Sequence, residues 1–124
     1  MAELLVSEYQ LGTEETAIYR EGVANAVQGG YIEGWANLSY AAHGLAGEAG
    51  EISNNVKKIL RDDGGFVTQD MKDKLFKEVG DCAWYISQLA TELGFKLNDI
   101  MDYNLTKLAS RKERGVLSGS GDDR

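Results

Sequence analysis

Apolar residues recur at helical spacing along most of this chain, and each run ends at a residue suited to ending a helix. The spacing predicts a first helix from near Ser7, where Ser-Glu-Tyr-Gln has the form of a capping box, to about Tyr19. A second helix runs from Asn37 to Arg61 and carries Leu38, Ala41, Ala42, Leu45, Ala49, Ile52, Val56, Ile59 and Leu60 on one stripe. Asp62-Asp63-Gly64-Gly65 ends it. Thr68 is placed to cap a third helix that continues to Leu93, with Met71, Leu75, Val79, Cys82, Ala83, Ile86, Leu89, Ala90 and Leu93 inward and Gly94 as its stop. A fourth begins at Asn98 and reaches Arg114, turning Ile100, Met101, Leu105 and Leu108 inward.

Two stretches fall outside this pattern. Residues 20–36 contain Gly22, Gly29, Gly30 and Gly34 and read as a long loop with at most one short helical turn; Tyr31 and Trp35 within it offer flat apolar contacts. The tail from Gly115 to Arg124, with Ser-Gly-Ser-Gly-Asp-Asp, is expected to fray. The expectation is an all-α, four-helix bundle-like protomer built on a central antiparallel pair, with one domain over 1–114 and a flexible tail over 115–124. The connection at 62–67 is short enough to fold the second and third helices into a hairpin.

Composition narrows what such a bundle can do. A net charge of −7 lacks the basic surface that a nucleic-acid polymer demands. No basic segment followed by an apolar core opens the chain and no apolar run reaches membrane-spanning length, so a cytoplasmic protein without a membrane partner is expected. Cys82 is the only cysteine and falls among apolar residues, where a small core side chain is the expected role rather than a reactive thiol. His43 is the only histidine. That excludes a His₂ or His₃ metal site within one chain and counts against a di-iron bundle, which needs Glu-x-x-His on two helices.

The candidate chemistry lies in two acidic pairs, Glu48-x-x-Glu51 and Glu78-x-x-Asp81. Residues three apart on a helix project from neighbouring points of one face, so each pair is a pincer of oxygen ligands. Such a pair standing alone usually marks a solvated face. Here Glu48 and Glu78 border the apolar stripes, and Glu51 and Asp81 lie further round on the same rotational side of each helix. In an antiparallel pair those flanks meet, so all four carboxylates can converge on a hard divalent cation such as Mg²⁺. Gly47, Gly50 and Gly80 stand beside the acids, where close packing or ligand approach would offset their cost in a helix.

These residues resemble the MazG-like nucleoside triphosphate pyrophosphohydrolases of the all-α NTP pyrophosphatase superfamily. The matching segments are Gly44-Leu-Ala-Gly-Glu-Ala-Gly-Glu51, Lys77-Glu-Val-Gly-Asp81 and Asn104-Leu-Thr-Lys-Leu-Ala-Ser-Arg111, with Thr16-Ala-Ile-Tyr19 similar to the family's first helix. After Arg111 the chain departs from the family, with Lys112-Glu-Arg-Gly115 in place of an aromatic-proline ending.

The resemblance implies Mg²⁺-dependent hydrolysis of nucleoside triphosphates to monophosphate and pyrophosphate, with Mn²⁺ a possible substitute. It assigns Glu48, Glu51, Glu78 and Asp81 as metal ligands, with Glu51 or Glu48 acting on the attacking water. Lys107 and Arg111 are implied phosphate contacts alongside Asn104; Lys74 serves either phosphate or Glu78. Tyr85, Trp35 and His43 are candidates for the base, whereas Trp84 is expected to point away from the acids. A homodimer or homotetramer is expected. The alternative is a non-catalytic helical protein of the same fold that binds nucleotide or a partner.

Overall fold

The computed structural model describes residues 2–30 and 35–124, so Tyr31 and Gly34 lie outside the described residues. Among those described are five α-helices: α1 (Val6–Glu14), α2 (Tyr19–Gln28), α3 (Ala36–Asp62), α4 (Gln69–Glu92) and α5 (Leu97–Glu113). The two longest, α3 and α4, make the most extensive helix pairing. They run antiparallel: Gly44 faces Tyr85, while Glu48, further along α3, meets Glu78 and Asp81, earlier on α4. The hairpin anticipated from the sequence is therefore the frame of the molecule.

Its ends follow local chemistry. Thr68 Oγ1 accepts the Met71 amide at 3.2 Å and caps α4. At the far end Gly94 adopts φ +76°, and the Phe95 amide reaches back to Ala90 O at 2.9 Å, closing the helix with a left-handed turn. Asn98 is not a cap, because α5 starts one residue earlier behind Lys96. Helix α1 is already under way at Ser7; the Leu5 amide is held by Glu8 Oε2 at 2.9 Å.

The largest departure is α2. Residues 20–36 had read as a loop because of their glycines, yet Tyr19–Gln28 is helical. Tyr19, Val23, Ala26 and Val27 follow helical spacing. Packing against α3 compensates for Gly22.

The interior is unlike the one the apolar stripes imply. Ala41, Ile59, Met71, Ala90 and Leu97 are buried, but so are the polar Ser87 and Gln88, both at 0% exposure. Gln88 Nε2 donates to Thr13 Oγ1 at 2.8 Å, and Ser87 Oγ lies 2.8 Å from the same oxygen. Tyr19 Oη donates to Glu92 Oε1 at 2.6 Å, and Arg20 Nε meets that oxygen at 2.9 Å. Gln10 Oε1 accepts the Leu97 amide at 2.7 Å and ties α1 to α5. Thus α1 docks on a hydrogen-bonded face of α4, which Tyr19 and Arg20 of α2 also reach.

The apolar face of α4 is left open: Val79, Ile86 and Leu93 are exposed, as are Val56 and Leu60 on α3 and Ile100, Met101, Leu105 and Leu108 on α5. These residues were expected inward. Residues 115–124, expected to fray, are tied to α5 where Arg111 Nη2 donates to the carbonyls of Gly121 and Asp122, and Arg124 donates within the tail to the carbonyls of Val116, Leu117 and Gly121. Among the described residues no helix is long and apolar enough to cross a membrane.

Candidate active site

Because α3 and α4 run antiparallel, the acidic flanks of the two helices meet. Glu48, Glu78 and Asp81 can each place a ligand oxygen within 4.8 Å of the others. Glu48 and Glu78 are half-buried and Asp81 is exposed, so the cluster stands at the edge of the hairpin within reach of solvent. Its field is felt locally. Partial burial, then the charges of Asp81, Glu78 and Glu51, push the Glu48 carboxyl above its ordinary range. Burial, then the charges of Glu48, Asp81 and Glu78, raise the half-buried Cys82 thiol, which disfavours its reactive thiolate.

Carboxylates crowded in this way suit a hard divalent cation, whose charge relieves their mutual repulsion and whose preference is for oxygen. Three of the four expected acids form this group. Glu51, exposed and one turn further along α3, stands outside it while still contributing to the field at Glu48.

Two cavities meet at Tyr40 and Tyr85, and one of them reaches the cluster. One, of about 370 Å³, is lined by Glu48 and Asp81 with Thr16, Ile18, Tyr19, Tyr40, Trp84 and Tyr85. The other, of about 570 Å³, is walled by Val23, Trp35, Ala36, Ser39, Tyr40, His43, Gly44 and Tyr85. That volume is in the range of small-molecule sites, and its few polar groups can orient a flat, largely apolar ligand. Tyr40 and Tyr85 belong to both cavities; their ring centroids lie 6.4 Å apart at 45°. Tyr19 stacks on Tyr40 at 4.6 Å and 10°, and Trp84 meets Tyr85 edge-on at 5.0 Å.

The structure thus brings Tyr85, Trp35 and His43 to one cavity. Trp84 corrects the expectation that it points away from the acids: it lines their cavity, with Nε1 donating to Thr16 Oγ1 at 2.8 Å. Tyr19, Tyr40 and Gly44 were not singled out from the sequence. A signal existed, since Tyr40, Gly44 and Glu48 follow one another at intervals of one helical turn.

The glycines also sort differently. An alanine at Gly47, Gly50 or Gly80 would meet nothing within 4 Å, whereas at Gly44 its methyl would overlap the Tyr85 ring. Glycine inside a helix costs about 1 kcal/mol relative to alanine. Among the described residues, only Gly44 of these four has a packing reason.

The basic residues are not gathered in. Lys74 is exposed and makes no ion pair with Glu78 among the described residues. Asn104 is exposed on α5, and no α5 residue lines either cavity. Lys107 and Arg111 engage the tail: Lys107 Nζ lies 3.2 Å from Asp122 Oδ1, and Arg111 Nη2 donates to Asp122 O at 2.6 Å. Arg111 is 5% exposed, and its Nε has no partner among the described residues.

Comparison with known proteins bears on this arrangement. The MazG nucleotide pyrophosphohydrolase domain matches residues 37–116, from the start of α3 through α5. The chain is similar to the Gene 37 protein of Mycobacterium phage L5, at 48% identity over 120 residues, covering 96% of this chain and 98% of that protein. No solved structure matches.

Proposed function

Since the chain belongs to the MazG nucleotide pyrophosphohydrolase family, we propose that it cleaves nucleoside triphosphates, deoxynucleotides or modified nucleotides among them, to monophosphate and pyrophosphate. The observation that carries this reading is the juxtaposition of an acidic cluster with an aromatic cavity across the shared Tyr40–Tyr85 pair. A flat base fits the aromatic side, and the carboxylates suit the metal-bound phosphate end.

Glu48, Glu78 and Asp81 would hold the divalent cation, with Glu51 a further ligand or the proton acceptor. Bound there, Mg²⁺, or Mn²⁺ in its place, would neutralise the polyphosphate and acidify a water. Glu51 stands outside the group of three, so its carboxylate is free to take the proton of the attacking water. Tyr85 and Trp35 would offer aromatic faces to the base and His43 a polar edge. Lys107 and Arg111 would serve phosphate only after releasing Asp122; Asn104 and Lys74 join them as outer contacts.

A second copy of the chain is the proposed cover for the open apolar faces of α3, α4 and α5, making the working form a homodimer or homotetramer. The proposal is tested by turnover of a panel of NTPs and dNTPs with Mg²⁺. Glu48→Gln and Asp81→Asn should each abolish pyrophosphate release with helical content unchanged. Full activity in both would refute the placement of the site.

A further inference from the structure

Tyr85 divides the two cavities, and the position of its ring is set from the opposite helix. On α4, Tyr85 lies one turn beyond Asp81; on α3, Gly44 lies one turn before Glu48. The ring rests so closely on the α3 backbone that a methyl at Gly44 would overlap its Cδ1, Cε1 and Cζ atoms. Edge contact with Trp84 and the tilted approach of Tyr40 support the ring on other sides. A ligand filling the aromatic cavity and reaching Glu48 or Asp81 must pass this ring.

We propose that Gly44 is a positioning residue: by lacking a side chain it seats the Tyr85 ring against α3, as the wall on which the base packs next to the carboxylates. The inference rests on the reading of the aromatic cavity as the base site. Gly44 has no side chain to offer a ligand, so its effect passes through Tyr85. Any side chain at position 44 forces the ring into one cavity or the other. Both responses spoil the stacking surface while leaving the carboxylates in place.

The test uses free nucleosides with the full-length protein in chelator, followed by amide chemical-shift titration. Neither metal nor turnover then enters the result. The wild type should bind a nucleoside saturably. Tyr85→Ala should weaken binding about tenfold, the scale of one lost base–aromatic stack. Gly44→Ala should weaken it similarly, and the double variant G44A/Y85A no further than Y85A alone.

Should G44A fail to fold, the double variant must fold and match Y85A, since removing the ring makes room for the methyl. Unaltered binding by G44A, multiplied losses in the double variant, a double variant that does not fold, or no nucleoside binding by the wild type each overturns the proposal. Pyrophosphate release is scored separately. Its absence alongside this binding pattern would sink the hydrolase reading and leave Gly44's role standing.

Discussion

Glu48 meets conflicting demands: it is half-buried at the edge of a helix pair and faces two other carboxylates, so its ionised form is disfavoured in the fold. Replacing it with glutamine should therefore leave the metal-free protein at least as stable as the wild type. It should abolish the rise in melting temperature that Mg²⁺ gives the wild type, a gain of about 2.7 kcal/mol at a hundredfold excess over Kd. Thermal melts with and without Mg²⁺ check both parts, and an undiminished metal response would contradict the assignment. Tyr19 shows the opposite economy. Burial, and then its hydrogen bond to Glu92, raise its phenol to about 12. The neutral phenol is the form the fold favours, so this contribution is complete below pH 10, the ordinary tyrosine value, and is lost as pH rises through 12. Tyr19→Phe should cost about 1.5–3 kcal/mol at pH 7, as expected for a hydrogen bond to a charged group, and should reduce the loss of stability between pH 10 and 12. Urea denaturation across that range measures it.

At the scale of elements, the sequence made α3 and α4 legible because their stripes are long and their ends carry unambiguous signals in Thr68 and Gly94. The acidic cluster was legible for the same reason: helical phasing and an antiparallel turn bring Glu48, Glu78 and Asp81 together with no further information. Helix α2 was not, since Gly22, Gly29 and Gly30 outweighed a short apolar repeat supported by packing on α3 and by the bonds of Tyr19 and Arg20 to Glu92 on α4. Gly22 has nothing within 4 Å of where a methyl would stand, so Gly22→Ala should stabilise the protein by about 0.5–1 kcal/mol and raise helical ellipticity. No gain in either would argue for a loop. The contacts of α4 were also hidden. Periodicity marks a face as apolar, yet α1 docks on Ser87 and Gln88, where Thr13 satisfies buried polar groups. The basic end of α5 was read as a ligand surface, whereas Lys107 and Arg111 face Asp122, eleven residues beyond Arg111 and invisible to local pattern.

For the whole molecule, area gives the clearest statement. A compact monomer of 13.6 kDa should expose about 6,600 Å². The described residues of this chain expose 9114 Å². The excess coincides with large apolar side chains left in solvent, Phe76 at 82% and Leu105 at 66% among them. Monomeric proteins rarely carry so much apolar surface in continuous patches. Light scattering coupled to size exclusion should find a dimer or tetramer, and Val79→Glu, on the open face of α4, should shift it toward monomer; a monomeric wild type would contradict this. The proposed reaction is cleavage of a nucleoside triphosphate between its α and β phosphates at the Glu48, Glu78 and Asp81 carboxylates. Phosphorus NMR of the products formed with Mg²⁺ tests it most directly. Equal amounts of nucleoside monophosphate and pyrophosphate are expected, and nucleoside diphosphate with orthophosphate would contradict the account.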